Sequence, residues 1–500
     1  MSTFDEIRRI RLEKIANLRK LGINPYPSQS QKDYSNADIS SKYDELEDKK
    51  IHVTGRVISW REHGALIFCH IQDQSGKLQI FIKKNDLSPT STEKQTIGTT
   101  DLKLIDIGDF IEVYGTVNKS IKGEVSIFPG DIKILSKAIR SLPEKWSGLT
   151  DPEIIFRRRY LDLVMNPEHK DLFIRKSKFW KLIRNYLDKQ NFIEVETPVL
   201  ELVTGGADAK PFVTHHNALD QDFYLRISTE LFQKRLIGGG FEKIFTLAPN
   251  FRNEGIDDEH LQEYYSAEWY WAYADYTNNM DLVEKLYQYI AQNLYGKTQF
   301  TRGKHTFDLA GKWERISYAD LIKKRFSIDI FKDSEEEILK LLKQQHLDTT
   351  GLTNRARMVD NLWKIVRQEI SGPIFVIDEP KFTSPLAKSR SSDEELTERF
   401  HCIIAGSELG NGYSELNDPQ DQLDRFYDQQ KNREKGDEES QMLDIDFVEM
   451  LEYGMPPTSG YGFSERLFWF FEDITAREGT LFPQVKYELS QETKKTYSLK

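Results

Sequence analysis

Alternating apolar and polar positions in the first third of the chain predict a small β-domain. Five segments there are rich in β-branched and aromatic residues and are separated by glycine, aspartate and asparagine. They are 51–60, 65–73, 77–82, 110–117 and 124–135. Five short strands, with a longer polar connection between the third and the fourth, are typical of an OB-type barrel.

Two residues on neighbouring predicted strands, Phe68 and Gln79, are candidates for contact with a nucleobase. OB-type barrels bind single-stranded nucleic acid by stacking bases on aromatic side chains of their strands. Phe68 would stack a base, and Gln79 would read the edge of that base. The competing interpretation, which the residues alone leave open, places Phe68 in the core of the barrel.

Residues 5–21 have the spacing of an amphipathic helix, with isoleucines and leucines on one broad face and Gly22 after the last of them. Most of the other positions are basic. They are Arg8, Arg9, Arg11, Lys14, Arg19 and Lys20. This basic face is either simply solvated or contacts the phosphates of a nucleic acid, and the pattern leaves both interpretations open.

From about residue 150 the elements become longer and mixed, which predicts an α+β multidomain chain. Helical periodicity is strong over 172–190, 280–295 and 334–345, and the last of these begins with Ser334 and Glu337 spaced as a capping box. The predicted segments are an N-terminal basic helix and linker (1–48), the OB-type domain (49–140) and a larger domain (141–500).

Composition narrows the class of protein further. The 500 residues carry a formal net charge of −11, so contact with nucleic acid has to come from a local basic patch. Two cysteines, Cys69 and Cys402, are too few for a disulfide framework or a four-cysteine zinc site. The first residues have charges where a signal peptide needs an apolar stretch, and no run of about 18 apolar residues occurs. We therefore expect a soluble protein of a reducing compartment with no membrane partner.

The segment 241–276 carries the richest set of candidate ligand-binding residues. It predicts a strand, a tight turn and a returning strand. Five residues surround the turn, namely Arg252, Glu254, His260, Glu263 and Tyr264. An arginine binds phosphate or carboxylate through paired hydrogen bonds, and an aromatic face accommodates a flat base. The combination favours a nucleotide site over a purely structural ion pair.

Two glycine-rich segments add charged groups. In 404–416, Glu408 and Glu415 flank glycines that let a ligand approach the backbone, and paired carboxylates suit Mg²⁺ or a cationic group. In 454–471, a glycine turn leads into an apolar helix with Arg466 near its start, which is a favourable place for a phosphate. The chain contains no GxxxxGK[ST], HExxH or GxSxG motif, so no other common catalytic chemistry competes.

The order of these segments resembles that of the class II lysyl-tRNA synthetases over nearly the whole chain. Six segments carry the resemblance: RRRYLDLV (157–164), FIEVETPVLELVTGGADAKPFVTHHNALD (192–220), YLRISTELFQKRL (224–236), FRNEG (251–255), ELGNGYSELNDPQDQ (408–422) and GMPPT (454–458). The aspartyl and asparaginyl relatives of the same architecture are less similar. The resemblance implies an OB-fold anticodon-binding domain followed by a class II catalytic domain, an antiparallel sheet with helices.

The resemblance also implies an activity. It is the ATP-dependent activation of L-lysine to lysyl-adenylate and the transfer of lysine to the 3′ end of tRNA(Lys), by a cytoplasmic homodimer that uses ATP and Mg²⁺. The segment FIEVETP, which ends at Pro198, matches the part of the family that forms the dimer interface.

Individual residues match functional positions of the family. The nucleotide-binding matches are Arg252, Glu254, His260, Glu263, Tyr264, Glu408 and Arg466, and the two arginines take the catalytic roles at the phosphates. The lysine-binding matches are Gly206, Glu230, Glu268, Tyr270, Asn411 and Glu415. The anticodon-site matches are Phe68, Gln79 and Arg61. Glu408 also matches a ligand of Mg²⁺.

Three departures from the family pattern concern the phosphate and metal positions. Glu259 stands where the family usually has an arginine, and the last glycine motif is one residue shorter than usual. His401 stands at the position of a second carboxylate ligand, which makes it a candidate metal ligand beside Glu408. These departures motivate an alternative function: a non-catalytic or differently specific paralogue that acts as an RNA-binding module or charges another amino acid.

Overall fold

The computed structural model describes residues 4–143, 149–347, 349, 352, 354–436 and 439–499. The chain forms two compact units, Met1–Asp151 with Lys486–Lys500 and Pro152–Val485. The predicted boundary at residue 48 does not separate two units, and the end of the chain belongs to the first unit instead of the predicted larger domain. The reason for the first difference is packing, because Leu18 and Ile39 are fully buried in the same apolar cluster as the barrel residue Val53.

The first unit contains a closed five-stranded barrel, which confirms the strand prediction. Its strands are β1 (Lys50–His63), β2 (Leu66–Gln72), β3 (Lys77–Lys83), β4 (Phe110–Lys119) and β5 (Val125–Ser136). They close in the order β1-β2-β3-β5-β4, with β3 and β5 parallel and the other neighbours antiparallel. Side chains alternate between the two faces of each strand, so Val53, Val57, Cys69 and Ile80 are fully buried inside the barrel.

Three short or medium helices precede the barrel: α1 (Phe4–Lys20), α2 (Asn36–Ser41) and α3 (Tyr43–Leu46). Two members of the predicted basic face of α1 are used structurally. Arg11 is buried and donates hydrogen bonds of 2.9–3.0 Å to three backbone carbonyls, and Lys14 pairs with Asp106 at 2.7 Å. The nucleic-acid interpretation of this face therefore rests on its remaining basic side chains.

The second unit contains one large sheet and several smaller ones. Its strands are β6 (Ile193–Glu194), β7 (Leu200–Glu201), β8 (Val213–His216), β9 (Gln221–Leu225), β10 (Lys243–Phe251), β11 (Glu263–Ala272), β12 (Gln299–Arg302), β13 (His305–Asp308), β14 (Glu314–Ser317), β15 (Ile374–Ile377), β16 (Ser389–Arg390), β17 (Asp393–Thr397), β18 (Arg399–Ile404), β19 (Ser407–Ser414) and β20 (Thr458–Ser464). Eight of them form one sheet in the order β14-β15-β18-β19-β20-β11-β10-β6. The pairs β14–β15 and β10–β6 are parallel, and the other neighbours are antiparallel.

Helices cover this sheet and connect its strands. They are α4 (Pro152–Arg157), α5 (Arg159–Met165), α6 (His169–Lys189), α7 (Glu230–Gly238), α8 (Tyr276–Tyr295), α9 (Tyr318–Phe326), α10 (Glu335–Gln344), α11 (Arg355–Arg367), α12 (Pro419–Glu434), α13 (Ile445–Tyr453) and α14 (Arg466–Glu472), and the first unit contributes a last helix, α15 (Gln491–Thr496). The three helices predicted from periodicity are α6, α8 and α10, and the capping box of Ser334 and Glu337 is present. Among the described residues, no helix combines the length and the apolar character needed to cross a membrane.

Successive side chains of β11 point to opposite faces of the sheet, one facing the core and the other facing the candidate site. Ala267 and Trp269 are buried in the apolar cluster that includes Phe179 of α6 and Tyr287 of α8. Glu268, between them, and the following Tyr270 face a cavity instead. The antiparallel sheet with helices confirms the predicted fold class and places chemically active side chains on a rigid strand.

Candidate active site

A cavity of about 400 Å³ lies on the large sheet, and it brings together most of the predicted site residues. The predicted residues that line it are Gly206, Glu230, Arg252, Glu254, His260, Tyr264, Glu268, Tyr270, Glu408, Asn411, Glu415 and Arg466. Tyr264 and Tyr270 lie on the same strand six positions apart, which corresponds to roughly 20 Å along the cavity. The cavity is therefore long enough to hold two ligand groups end to end.

One end of the cavity is strongly acidic. Glu230, Glu268 and Glu415 are all buried there. The Nζ atom of Lys234 lies 2.5 Å from Oε1 of Glu230 and also pairs with Oε2 of Glu415. Burial by itself lowers the pKa of Lys234, but these two carboxylates outweigh burial and raise it, so the lysine is charged. One resident ammonium is thus shared by two carboxylates.

The remaining carboxylate at this end, Glu268, is held by neutral donors. Its Oε2 atom accepts hydrogen bonds from the hydroxyls of Thr229 at 2.9 Å and Ser228 at 3.2 Å, and Oε1 accepts one from Asn250 at 3.2 Å. Burial raises the pKa of Glu268, and burial together with Glu230 raises that of Glu415 despite the attraction of Lys234. Three carboxylates with a single ammonium form an environment that favours a further cation.

Gly206 lies against this acidic end in a backbone conformation that suits glycine. Its φ is +85°, and an added Cβ would lie 2.8 Å from both Cβ of Glu230 and Oγ of Ser228. A larger residue would push into the carboxylate and close the cavity. Glu230 itself is fixed by the hydroxyl of Tyr413, which donates to its Oε1 atom at 2.5 Å.

The other end of the cavity carries arginine and tyrosine side chains. Arg252 begins the connection between β10 and β11, and its guanidinium lies 5.4 Å from the ring centroid of Tyr264. Tyr264 is directly opposite Asn250 in the register of the two strands. The hairpin predicted from sequence therefore exists, and it presents a cation beside an aromatic face.

Arg466 is already paired with a carboxylate of the protein. It is the first residue of α14, and its Nη2 atom contacts Oε2 of Glu259, which belongs to the connection between β10 and β11. Glu259 thus places a negative charge directly on an arginine that the resemblance assigns to phosphate.

His401 lies between two carboxylates. Its Nε2 atom is paired with Glu379, and its Nδ1 atom lies 2.9 Å from Oε1 of Glu408. Burial by itself lowers the pKa of His401, but Glu408 and Glu379 outweigh burial and raise it to about 9. A protonated imidazole has no lone pair to offer a metal ion. In this structure both ring nitrogens of His401 face carboxylates, and its role as a metal ligand stays a prediction from the resemblance.

Glu408 also forms ion pairs with other side chains of the protein. Besides His401, the Nη1 atom of Arg367 lies 3.8 Å from its Oε2 atom. Burial raises the pKa of Glu408, but the charge of His401 outweighs burial and lowers it to about 2. Within the part of the chain that the structure describes, no group of three or more His, Cys, Asp or Glu residues is arranged to hold a metal ion. The donors present do not fit a Mg²⁺ site built from Glu408 and His401.

Two predicted nucleotide residues of the hairpin differ in their placement. His260 lines the cavity, where its Nδ1 atom lies 2.8 Å from Asp257. Glu263 is exposed and does not line the cavity, and its Oε2 atom accepts a hydrogen bond of 3.5 Å from Gln484. The reason is strand alternation, because Glu263 and the cavity residue Tyr264 are neighbours and point to opposite faces of β11.

The predicted anticodon residues share the outer face of the barrel. Phe68 is half-buried, it stands opposite the exposed Arg61 on β1, and it packs edge-on against Phe81 of β3 at 4.9 Å between ring centroids. Phe68 belongs to none of the buried apolar clusters, so the interpretation that placed it in the core is wrong. An aromatic face beside an exposed arginine suits a stacked nucleobase.

Gln79 is more constrained than the prediction assumed. Its side chain is buried, its Nε2 atom donates to Glu124 at 2.7 Å, and its Oε1 atom accepts from Ser126 at 2.8 Å. Reading a base would require Gln79 to exchange one of these partners. In this arrangement Gln79 stabilises the strand that carries Phe81.

Three further residues were absent from the sequence prediction: Tyr413 and Arg399, which line the cavity, and Lys234, which is fully buried and pairs with two carboxylates of the lining. Lys234 follows Glu230 by four positions on α7, which is a spacing that places both on one helix face. Tyr413 precedes Glu415 by two positions, and Arg399 precedes His401 by two on β18. These spacings are visible in the sequence, but the sequence does not show which charged side chains pair across the sheet.

Both units resemble known protein families. The family described as OB-fold nucleic acid binding domain matches residues 51–135, and the family described as tRNA synthetases class II (D, K and N) matches residues 151–486. A curated lysine–tRNA ligase of Thermotoga maritima is 45% identical over 489 residues, which cover 96% of each chain. Lysine–tRNA ligases of Fervidobacterium nodosum and Thermoanaerobacter pseudethanolicus are each 42% identical, over 97% and 96% of this chain and 94% and 96% of theirs.

Proposed function

Because the chain belongs to the class II tRNA synthetases and is related over nearly its full length to lysine–tRNA ligases, we propose that the cavity on its large sheet binds lysine at the acidic end and ATP at the arginine end. The reaction of lysine–tRNA ligases is the activation of lysine with ATP and its transfer to tRNA, and this is the activity of the chain. The alternative of a non-catalytic or differently specific paralogue is not favoured by this similarity.

The observation that carries the proposal is the charge of the acidic end. Three buried carboxylates face one resident ammonium, and burying an unbalanced carboxylate costs several kcal/mol. A ligand that brings an ammonium group into this space removes the imbalance. Lysine carries one ammonium at its Cα and a second at the end of its side chain, which matches the excess of carboxylates.

We assign the two ammonium groups by position in the cavity. Glu230 beside Gly206 is proposed to hold the α-amino group, since the glycine leaves room for the substrate backbone there. Glu415 and Glu268, with the hydroxyl of Tyr270, are proposed to hold the ε-ammonium. A compact ammonium prefers such a closed set of oxygen atoms. Asn411 lines the same cavity and is proposed to contact the substrate carboxylate.

The arginine end supplies the chemistry of activation. The lysine carboxylate attacks the α-phosphorus of ATP, a new carboxyl oxygen–phosphorus bond forms, and the bond to the β-phosphate oxygen breaks to release pyrophosphate. No nucleophile of the protein takes part, so catalysis consists of positioning and of neutralising phosphate charge. We propose that Arg252 performs this at the α-phosphate and that Tyr264 stacks on adenine, with Glu254 and His260 near the nucleotide.

Mg²⁺ remains a prediction from the resemblance. The carboxylate expected to bind it, Glu408, is paired with His401 and Arg367, and no step above depends on the metal. Arg466 is proposed to hold the outer phosphates.

The substrate assignment is tested by amino-acid-dependent exchange of pyrophosphate into ATP. We expect exchange with lysine and none above background with aspartate or asparagine, whose relatives share the same family. Exchange that depends on aspartate would contradict the proposal, because a carboxylate side chain would meet three buried carboxylates.

For the barrel we propose contact with the anticodon of tRNA(Lys) through Phe68 and Arg61. Replacing Phe68 by alanine should lower kcat/KM for tRNA charging by an amount that corresponds to about 1–3 kcal/mol, because a stacked base loses the aromatic ring that it contacts. Pyrophosphate exchange, which needs no tRNA, should be unchanged. The matched control is Phe110→Ala, which removes an exposed aromatic side chain of the same barrel that stacks on Arg56. An equal loss of charging in both variants would show that Phe68 acts through barrel stability.

We also propose that the chain forms a homodimer through the region around Pro198. Six apolar residues there are between 40% and 61% exposed, which is unusual for a solvated surface. They are Ile193, Val199, Leu200, Leu202, Val213 and Leu219. Light scattering should give twice the mass of 58.4 kDa, and the mass of a single chain at micromolar concentration would contradict the dimer.

A cytoplasmic location, where tRNA is charged for protein synthesis, is proposed as well and is testable by cell fractionation.

A further inference from the structure

Glu259 forms an ion pair with Arg466, the arginine that is proposed to hold the outer phosphates. Both residues line the cavity. The side chain of Arg466 is 17% exposed and that of Glu259 is 40% exposed, so the arginine is the more enclosed partner. Its Nε atom is buried without a hydrogen-bond partner among the described residues. Glu259 therefore contacts Arg466 through its Nη2 atom and leaves the Nε donor unused.

The loop that carries Glu259 is anchored beside α14. The backbone N–H of Glu259 donates to Oδ1 of Asp257 at 2.8 Å, and the N–H of Ala476 donates to the carbonyl of Asp258 at 2.8 Å. These bonds hold the backbone of the loop close to Arg466, while the carboxylate at the end of the Glu259 side chain can rotate away. The pair can open without unfolding the loop.

We propose that Glu259 is a specificity-determining residue of the nucleotide site, an internal carboxylate that competes with the outer phosphates of the nucleotide for Arg466. The inference rests on the proposed function in one respect, that Arg466 is the arginine that meets those phosphates. Arginine binds carboxylate and phosphate with the same paired geometry, so the two anions exclude each other. A bound polyphosphate has to displace Glu259, and Glu259 returns when the polyphosphate leaves.

This competition has a definite signature in ligand binding. Ligands with outer phosphates, such as ATP and pyrophosphate, lose affinity because they displace Glu259. AMP has no outer phosphates and leaves the ion pair intact. Glu259 therefore weakens binding of the substrate ATP and the product pyrophosphate together, and it favours release of the product.

The test is calorimetric binding of ATP, inorganic pyrophosphate and AMP to the full chain, at one fixed Mg²⁺ concentration. Glu259→Gln keeps the size of the side chain and removes its charge. We expect ATP and pyrophosphate to bind about tenfold more tightly, because they no longer displace a charged hydrogen-bond partner of Arg466. AMP should bind as it does to the wild type. Glu259→Asp, which keeps the charge, should resemble the wild type more closely than Glu259→Gln does.

The matched control is Asp258→Asn, which removes the charge of an exposed neighbour on the same loop. It should leave all three affinities unchanged. Unchanged or weaker binding of ATP and pyrophosphate to Glu259→Gln would overturn the inference and indicate that Glu259 positions Arg466 for the ligand. A parallel tightening of AMP would also overturn it. Absence of lysine-dependent exchange in wild type and variants alike would reject the proposed function, whereas the binding experiment still decides the role of Glu259.

Discussion

Replacing Glu415 by glutamine is expected to raise the KM for lysine by two to three orders of magnitude. The variant keeps the size of the side chain but removes one of the three buried carboxylates at the acidic end. Leaving a buried ammonium without its charged partner costs about 3–5 kcal/mol. Pyrophosphate exchange at varied lysine concentration measures the effect. The KM for ATP should remain nearly unchanged, because the nucleotide is assigned to the other end of the cavity.

Lys234 makes this experiment informative about the resident ion pair as well. In the variant, Lys234 retains Glu230 at 2.5 Å, so the cavity keeps one internal pair and the fold is preserved. Glu395→Gln, an exposed carboxylate on β17, is the matched control and should leave lysine kinetics unaltered. Wild-type lysine kinetics in Glu415→Gln would reject the assignment of the ε-ammonium to this residue.

Replacing Arg252 by alanine is expected to lower kcat for lysine-dependent exchange by about 10²–10³. This is the typical effect of removing one preorganised group that stabilises charge developing in a transition state. Arg252 lies at the start of the hairpin connection with its guanidinium 5.4 Å from the ring of Tyr264, so the aromatic ring keeps it in position before the nucleotide binds. Steady-state exchange kinetics at saturating lysine and ATP measure the change.

The control for Arg252 is the adjacent exposed residue on the same loop. Asn253→Ala shortens a side chain next to the site without removing a charge, and it should retain kcat within a factor of about two. If Arg252→Ala raised the KM for ATP and left kcat unchanged, Arg252 would contribute to binding of the ground state alone. That result would contradict its proposed role at the α-phosphate.

Local patterns in the sequence were sufficient for the elements that position these residues. The five strands of the barrel, the hairpin of β10 and β11, and the helices α6, α8 and α10 all follow from periodicity and from capping or turn residues. The face on which a side chain lies is a local property of a strand, which is why Phe68 could be singled out from the strand pattern, whereas Glu268 came from the family resemblance. The same rule, applied strictly, would also have excluded Glu263 from the cavity, since it precedes Tyr264.

The motifs themselves identified the chemistry of the cavity because each motif is a short, contiguous stretch. Glu230 on α7, Glu268 on β11 and Glu415 after β19 were recognised one by one. Their convergence at one end of the cavity depends on the strand order of the sheet. Hydrophobic periodicity and short sequence motifs do not determine the order of the strands in the sheet. From the sequence, that order could be inferred only through the family resemblance.

What the sequence by itself determined was thus the identity of the elements, the class of fold and twelve of the residues that line the cavity. Only the tertiary structure decided which charges neutralise each other. Glu259 and Arg466 are 207 positions apart, and the partner of His401, Glu379, lies on a different segment. An ion pair forms between atoms a few ångströms apart in a dry environment, and neither distance nor burial is encoded in the spacing along the chain. For that reason the resemblance alone could make His401 a candidate metal ligand, and only the fold shows its ring between two carboxylates.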